Sequence, residues 1–266
     1  MLSLVFKGHT DKISSLSTST CGQYVASASA DGTARVWEVS SSRCLHVFNV
    51  KEPVLMVAFN PNPERRGILA ILTATCVRLV FAGIVPATGA DDDKDACPEY
   101  SAAMSLLGRV DITAVKASET VAEWRNTHTL SQQGLRITPD HDLRRMCWHN
   151  GGDYFATVQG ENEANSVLLH RLSLKSSQAP FTRSRGVVQD VAFHPKRPFF
   201  FVATKRHVRI YNLQKQQLIK KLQCPAKWIL NLSVHPSGDH VLVGTADRRV
   251  CWYDLDLSQR PFKTLK

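Results

Sequence analysis

Two stretches in the last third of this 266-residue chain repeat one pattern. In each, an alternating apolar run ends in His-Pro, a second apolar run follows a turn, and a third run carries a tyrosine. His194 precedes His235 by 41 residues, and Tyr211 precedes Tyr253 by 42. A single four-stranded sheet cannot bury both of its faces, so such units must stack on one another. A period of about 40 residues made of short strands therefore predicts a β-propeller.

Three weaker copies of the pattern lie upstream. The first spans Phe6–Phe48, the second Val54–Val80 and the third Leu143–Leu172, and each has short apolar runs separated by turn residues. In the second copy an Asn-Pro dipeptide at Asn60 stands where the later copies have His-Pro. We therefore predict one all-β propeller domain over residues 1–266, with about five blades visible.

The repeats are interrupted from about residue 86 to residue 136. Asn60 and His149 are 89 residues apart, roughly two periods, although we recognise one unit between them. The run Asp91–Asp95 makes the segment acidic. Consecutive aspartates do not converge readily on one ion, and the spacing of an EF-hand is missing, so we expect an acidic insertion in solvent and no metal site. A divergent blade with a strand near Ile112–Val115 is the alternative.

The formal net charge of +10 is concentrated in the last third of the chain. Residues 1–180 carry 17 lysines and arginines against 18 aspartates and glutamates, whereas residues 181–266 carry 16 against 5. This one-sided charge favours a polyanion partner, with RNA as the first candidate, and a solvated surface without a ligand is the alternative. The candidate RNA-binding residues, which we place on turns and outer strands, are Arg183, Arg185, Lys196, Arg197, Lys205, Arg206, Lys220, Lys221, Lys227, Arg248 and Arg249.

Two pairs of these residues fall at equivalent places in successive units. Lys205-Arg206 and Arg248-Arg249 each lie in the turn between the second and third runs of a unit. Stacking of the two blades predicts that these turns lie side by side on one edge of the domain. Contacts from such side chains to phosphates give salt-dependent affinity with little discrimination between sequences.

The seven cysteines are scattered, odd in number and without a Cys-x-x-Cys motif. This distribution indicates small apolar strand residues in a reducing compartment, not a disulfide framework or a zinc site. The apolar start Met1–Phe6 is too short for a signal peptide, and no apolar run reaches transmembrane length. The sequence thus predicts a soluble intracellular protein.

The first unit carries a more specific signature. Gly8-His9, followed about 28 residues later by Trp37-Glu38, resembles a WD repeat, with Glu38 where that family usually has aspartate. In that family a buried histidine, a serine or threonine, a turn aspartate and the tryptophan form a hydrogen-bonded chain. The matching positions are His9, Ser27 or Ser29, Asp31 and Trp37. Asp247 occupies the turn position of the last unit, where Trp252 or Tyr253 takes the aromatic place.

Ser27, His9 and Asp31 also suggest a nucleophilic triad. The Gly-x-Ser-x-Gly elbow that exposes such a serine is missing, and Asp31 lies in a tight-turn signal. We therefore expect these residues to form a structural network. No nucleophile, metal or nucleotide motif supports an enzyme, so we predict neither catalysis nor a cofactor. Arg35, beside Trp37 on the third run, is a candidate contact for a protein partner.

The chain resembles one family more closely than WD repeats in general. Several motifs outside the 86–130 region are similar to the block-of-proliferation (eukaryotic ribosome biogenesis) WD-repeat family, and a propeller does not itself require them. They are Trp148–Tyr154, Gln178–Ser184, Val191–Phe199, Val208–Tyr211, Lys220–Leu222 with Lys227-Trp228, and Trp252–Ser258.

This resemblance implies a non-catalytic scaffold in large (60S) ribosomal subunit biogenesis, located in the nucleolus and nucleoplasm. It implies contacts with rRNA in the pre-60S particle and a trimeric complex with a pescadillo-type protein and a second WD-repeat assembly factor. It also implies a seven-bladed propeller after a long N-terminal region, so the chain is expected to be an incomplete segment. A split polypeptide completed by another chain is the alternative. The competing function is a generic WD-repeat adaptor in a ubiquitin ligase or chromatin complex.

Overall fold

A computed structural model describes residues 4–84, 103, 105–108, 121–129, 132–160, 166–180, 186–225 and 227–266. These residues form antiparallel sheets, each built mostly from consecutive strands. The first sheet contains β1 (Ile13–Thr18), β2 (Tyr24–Ser29), β3 (Thr33–Glu38) and β4 (Cys44–Asn49). The second contains β5 (Val54–Phe59), β6 (Ile68–Thr73), β7 (Val77–Phe81), β8 (Ala122–Thr129) and β9 (Gln132–Pro139), with a 3-10 turn at Pro63–Arg65 after β5.

The remaining three sheets have four strands each, in chain order. The third contains β10 (Leu143–Trp148), β11 (Tyr154–Gln159), β12 (Val167–Arg171) and β13 (Ser176–Gln178). The fourth contains β14 (Val188–Phe193), β15 (Phe199–Thr204), β16 (His207–Asn212) and β17 (Gln217–Gln223). The fifth contains β18 (Ile229–Val234), β19 (His240–Thr245), β20 (Val250–Asp254) and β21 (Lys263–Leu265). The prediction of an all-β WD-repeat propeller fold is confirmed at the level of fold class; the number of blades in a full ring stays a prediction.

The first strands of four sheets share one irregularity. Each has an extra residue at its second position, at Ser14, Leu55, Gln189 and Leu230, where the pairing to the following strand shifts register. A bulge bends its strand and increases the local twist. Because the bulge recurs at the same place, residues of different sheets can be compared position by position along their ladders.

Contacts divide the chain into two compact units. One draws on residues 1–144, 151–153 and 171–177, and its apolar core packs side chains of β2, β3 and β4 of the first sheet against β5 and β6 of the second. The other draws on residues 145–150, 154–170 and 178–266. Its core lies between consecutive sheets, with β14 packed against both β11 and β18.

Large side chains fill these layers in the second unit. Phe200 faces the cluster shared with the third sheet, and Phe201 and Tyr253 lie in the cluster shared with the fifth. All three are fully buried. Each such burial stabilises the fold by roughly 1.5–3 kcal/mol, so stacking of sheet on sheet is a major source of stability.

Two strands of the second sheet were not predicted from the sequence. The order of that sheet is β5-β6-β7-β9-β8, so β9 pairs with β7 and β8 forms the edge. Both strands overlap the end of the predicted insertion at about 86–136. The signal was weak because β8 places Trp124 among polar residues such as Glu123, Arg125 and Asn126. The acidic run Asp91–Asp95 and the alternative strand at Ile112–Val115 lie outside the described residues.

Two further sequence predictions concern membranes and cysteines. No helix within the described part of the chain is long and apolar enough to cross a bilayer. The six described cysteines are free thiols, and Cys76 and Cys251 are buried in strands or turns of the sheets, as expected of small apolar residues.

Candidate nucleic-acid interface

The first sheet brings the WD-signature residues together. The imidazole of His9 lies 2.8 Å from Asp31 Oδ2 through Nδ1 and 2.7 Å from Ser27 Oγ through Nε2. Trp37 Nε1 donates to the same Ser27 oxygen at 2.8 Å. Ser29 accepts a hydrogen bond from the Asp31 backbone N–H at 3.2 Å. Of the two alternatives, Ser27 therefore occupies the centre of the chain of hydrogen bonds and Ser29 supports the turn.

Asp31 is held as a carboxylate by this arrangement. Burial acts to raise its pKa, but hydrogen bonds from the Thr33 hydroxyl and from His9 outweigh burial and lower the pKa well below its usual range. Ser27 is only 2% exposed and already accepts the Trp37 N–H. A substrate carbonyl has no approach to an oxygen buried in this way, so the geometry favours a framework role over a nucleophilic one.

The corresponding residues of the fifth sheet form a different arrangement. The ladders place Val243 at the position of Ser27 and Tyr253 at the position of Trp37, which makes Tyr253 rather than Trp252 the equivalent aromatic residue. The Tyr253 hydroxyl donates to the carbonyl oxygen of Gln223 at 2.9 Å. Asp247 instead pairs with Arg249, whose Nε lies 3.3 Å from its carboxylate. Asp247 thus belongs to a charged turn, and a hydrogen bond with the Thr245 hydroxyl lowers the pKa of its carboxyl.

The third sheet contains a buried polar pair that was not predicted from the sequence. His170 Nε2 lies 2.8 Å from the Thr157 hydroxyl oxygen, and both side chains are fully buried. The imidazole stacks on Phe155 with ring centroids 4.6 Å apart. The signal available in the sequence was a threonine on the second strand of the unit combined with a histidine next to the end of its third.

The two basic turns of the last sheets are joined by one short segment. Lys205-Arg206 connects β15 to β16, and residues 246–249 connect β19 to β20. The segment that leads into β18 bonds to both turns. The Ile229 N–H donates to the carbonyl of Lys205 at 2.9 Å, and the Ala246 N–H donates to the carbonyl of Trp228 at 2.9 Å. The structure therefore brings the two turns against the segment that contains Trp228.

Five cationic residues surround this segment, and we call them the basic rim: Lys205, Arg206, Lys227, Arg248 and Arg249. Arg206, Lys227 and Arg248 are exposed, and the other two are half-buried. One carboxylate, Asp247, lies among them and feels the positive charges of Arg249 and Lys227. The rim carries five of the eleven predicted RNA-binding residues.

Trp228 is an exposed aromatic side chain at the centre of the basic rim. It keeps 52% of its surface accessible, and Lys205 Nζ lies 4.8 Å from the centroid of its ring. A cation over an indole face is attracted by the ring quadrupole. Trp228 belonged to a motif noted in the sequence, but the sequence analysis did not predict it as a binding residue.

Arg248 adopts a backbone conformation that disfavours most residues. Its φ is +60°, and the first sheet has Gly32, with φ +78°, at the same position of the equivalent turn. A residue with a side chain costs roughly 1–2 kcal/mol in this left-handed region. The turn therefore tolerates an arginine where glycine is the favourable choice.

The other candidate RNA-binding residues lie elsewhere. Lys196 and Arg197 are exposed in the β14–β15 turn, at the opposite end of the fourth sheet, where their N–H groups donate to His194 Nδ1 at 3.0 and 2.9 Å. Lys221 is exposed on β17. Lys220, also on β17, donates to the Leu255 carbonyl. Arg183 and Arg185 lie outside the described residues.

Arg35, the candidate partner-binding residue, packs within the first sheet. Its guanidinium carbon lies 5.9 Å from the centroid of the Trp37 ring. It also covers Gly8, because a Cβ added at Gly8 would lie 2.2 Å from one of its terminal nitrogens. These contacts order the side chain at the sheet surface. Its contact with a partner stays a prediction.

Two parts of the chain match the family model described as WD domain, G-beta repeat, at residues 2–38 and 216–254. Each match ends one residue beyond the aromatic position of a third strand, that is after Trp37 and after Tyr253. The second match begins next to β17, so the repeat in sequence takes the outer strand of one sheet together with three strands of the following sheet.

Ribosome biogenesis protein BOP1 homologues from Drosophila erecta, Drosophila melanogaster and Drosophila virilis are each 39% identical to this chain over 267 aligned residues, which is 99% of the chain. Together with the WD-repeat matches, this identity over nearly the whole chain supports the BOP1-like family of WD-repeat proteins. It spans about a third of the length of these relatives, since it covers 33% of each. This similarity and the WD-repeat architecture fit a role without catalysis.

Proposed function

We propose that this BOP1-like chain is a non-catalytic propeller segment of a large-subunit ribosome assembly factor that binds pre-rRNA through the basic rim. The observation that carries the proposal is the 39% identity over 99% of the chain to proteins named for ribosome biogenesis. The alignment includes the rim, because it spans nearly the whole chain. A nuclear and nucleolar location follows from this function.

The basic rim supports the RNA part of the proposal. It gathers Lys205, Arg206, Lys227, Arg248 and Arg249 on two turns and the segment bonded to both. Fixed cations at one edge of a rigid sheet attract a phosphate backbone, and each contact releases counterions. Binding of this kind positions the chain on RNA without reading its sequence.

The stacked sheets support the scaffold part of the proposal. A rigid framework such as the Ser27–Trp37 pair fixes turns and outer strands in space, and these can present separate surfaces to separate partners. We include among the proposed partners a pescadillo-type protein, a second WD-repeat assembly factor and the pre-60S particle. Arg35 is the proposed protein contact.

The test is crosslinking of the tagged chain to RNA in cells, with proteins identified from the same purification. We expect enrichment of large-subunit pre-rRNA, with crosslinks at the basic rim, together with the two partner proteins. The variant is Arg248→Ala with Arg249→Ala, and the matched control is Lys196→Ala with Arg197→Ala at the opposite end of the fourth sheet. The first double variant should reduce the yield of crosslinked rRNA and the second should not.

Two outcomes would contradict the proposal. Enrichment of ubiquitin ligase or chromatin subunits, with rRNA at background, would favour a generic WD-repeat adaptor. Equal loss of rRNA in both double variants would show that the charge of the last third acts as a diffuse field, and that the basic rim has no special part in binding.

A further inference from the structure

We infer that Trp228 is a stacking platform for an unpaired base, so that the basic rim binds single-stranded RNA in preference to duplex. This inference rests on the proposed function, because it takes RNA as the polyanion. It adds to that function a definite nucleic-acid conformation and a residue that contacts the base.

The indole of Trp228 is much more exposed than those of three other tryptophans. Trp37, Trp124 and Trp148 are buried at 3%, 8% and 8% exposure, whereas Trp228 is 52% exposed. An exposed indole on a fixed backbone offers a flat amphipathic surface that a partner can contact. The backbone of Trp228 is fixed, because its carbonyl accepts the Ala246 N–H and the next residue donates to Lys205.

A positive charge lies against the indole ring of Trp228. Lys205 Nζ lies over the indole at 4.8 Å, and the remaining half of the side chain stays open to solvent. A base that stacks on the open surface would have the ammonium of Lys205 near its phosphate. Aromatic platforms flanked by cations are the common way in which proteins hold single-stranded nucleic acid.

Arg248 has an unfavourable backbone conformation in a turn next to this segment. The turn holds an exposed arginine at φ +60° where the equivalent turn of the first sheet has glycine. Residues in this conformation persist only where the surrounding structure imposes it, and they cluster at functional sites. Beside Trp228, an arginine is suited to a phosphate of the nucleotide whose base stacks on the ring.

These contacts favour single-stranded RNA over duplex RNA. In a duplex the bases are stacked inside the helix and cannot reach a side chain at the protein surface, whereas in a single strand every base has an open π face. The phosphates of either form can contact the basic rim. Duplex RNA therefore binds through contacts with the cationic side chains alone, whereas single-stranded RNA binds through these contacts and through stacking on Trp228.

The test measures binding of the purified 266-residue chain to three probes of equal charge: a single-stranded RNA of about 24 nucleotides, a duplex of about 12 base pairs, and an abasic ribose-phosphate chain of about 24 units. Trp228→Ala should weaken binding of the single strand by about 5- to 100-fold and leave binding of the duplex and the abasic chain unchanged. Its salt dependence should also be unchanged, because no phosphate contact is lost.

Two companion variants separate stacking from folding and from charge. Trp228→Phe should keep most of the affinity for the single strand and lose the quenching of tryptophan emission that RNA causes in the wild type. Arg248→Ala with Arg249→Ala should weaken binding of all three probes and reduce the slope of log affinity against log salt by about 1.5 to 2, which is the loss of two phosphate contacts. Circular dichroism should show that each variant retains the native sheet content.

The outcomes distinguish the inference from the proposed function. If Trp228→Ala binds the single strand as the wild type does, or weakens the abasic chain equally, the stacking platform is wrong and RNA binding by the rim remains. If the wild type binds none of the probes in a salt-dependent way, the proposed function fails as well. Displacement of the single strand by polyglutamate at equal charge concentration would overturn the choice of RNA in favour of an acidic peptide.

Discussion

His170 Nε2 lies 2.8 Å from the hydroxyl oxygen of Thr157, the same distance that separates Trp37 Nε1 from Ser27 Oγ. Both pairs join the second strand of a sheet to the third at the same register, one residue before the third strand ends. The third sheet therefore makes the hydrogen bond of the WD signature with a different pair of residues. In the fourth and fifth sheets valine replaces the hydroxyl residue at this position.

The His170 pair predicts a component of acid sensitivity. Burial lowers the pKa of His170 to about 3, whereas a histidine in the unfolded chain titrates near about 6.5. The unfolded state thus takes up the proton first as pH falls. The stability contributed by neutral His170 is complete above about pH 6.5 and is lost as pH falls toward about 3.

Urea unfolding at about pH 7 and about pH 4 measures this component. The double variant His170→Phe with Thr157→Val replaces both polar partners, which limits the cost at neutral pH. We expect it to lose less stability on acidification than the wild type does, by a slope that corresponds to one proton. Equal slopes for the two proteins would show that His170 does not titrate on unfolding.

Asp31 predicts a second component of acid sensitivity, which comes from a carboxylate instead of a histidine. Burial acts to raise its pKa, but hydrogen bonds from Thr33 and His9 lower the pKa in the fold. The carboxylate therefore contributes its full stability at pH values above the pKa of an unfolded aspartate, about 3.9. This stability is lost as pH falls below that value. Asp31→Asn should cost about 1–3 kcal/mol at neutral pH because it leaves buried donors without a full acceptor. The difference between wild type and variant, measured by urea unfolding, should shrink below about pH 4.

The control for Asp31 is Asp11→Asn in the neighbouring loop. Asp11 is exposed and accepts a hydrogen bond from the following backbone N–H. We expect its substitution to change stability by less than about 0.5 kcal/mol. A cost at Asp11 equal to that at Asp31 would contradict a special role for the network.

Gly152 lies against Asn60 where the second and third repeat units meet, and this close contact leaves no room for a side chain. Asn60 Nδ2 donates to the Gly152 carbonyl at 2.8 Å, and a Cβ added at Gly152 would lie 2.1 Å from Asn60 Oδ1. The matched control is Gly22, whose φ of +72° is close to the +70° of Gly152. No described atom lies within 4 Å of a Cβ added at Gly22.

Gly22→Ala should therefore lower the free energy of unfolding by roughly 1–2 kcal/mol, which is the cost of the left-handed backbone conformation alone. Gly152→Ala should lower it by that amount and by about 1–3 kcal/mol more, because the contact with Asn60 is lost as well. The shift of the urea midpoint measures both values. Equal shifts would mean that Asn60 moves aside without cost, and the contact would then have no structural importance.

Arg248 predicts a conflict between stability and binding. Arg248→Gly removes the strain at φ +60°, partly offset by the greater freedom of glycine in the unfolded chain, so we expect a gain of up to about 1 kcal/mol. The same change should weaken RNA binding and lower its salt dependence by about 1 in slope. Thermal unfolding and the salt series measure the two effects. A variant that loses both stability and binding would indicate that the side chain supports the fold.

The sequence predicted the sheets where the apolar pattern was regular. The copies around His194 and His235 became the fourth and fifth sheets, and the first copy became a four-stranded sheet with Trp37 on its third strand. The sequence failed at β8 and β9, where polar residues surround Trp124 and the pairing partner, β7, lies far back in the chain. Pairing between distant strands cannot be read from a local pattern.

The candidate interface was predicted in part. The equivalence of Lys205-Arg206 and Arg248-Arg249 followed from the repeat, because equal positions in a repeat occupy equal turns. Trp228 was overlooked because nothing in its local sequence distinguishes an exposed tryptophan from a buried one. Lys220 was predicted on charge alone, and its hydrogen bond to the Leu255 carbonyl depends on which strand lies beside β17.

The repeat period, the alternation of apolar residues and the one-sided charge are properties of order along the chain, and they alone determined the all-β fold class and the basic character of the last third. Which hydroxyl meets which aromatic residue, as between Thr157 and His170, and which side chains gather around Trp228 depended on the stacking of sheets and on strand register. The reason is that a strand specifies only which of two faces a side chain occupies, while its neighbours on that face come from other strands and are fixed only when the sheets pack.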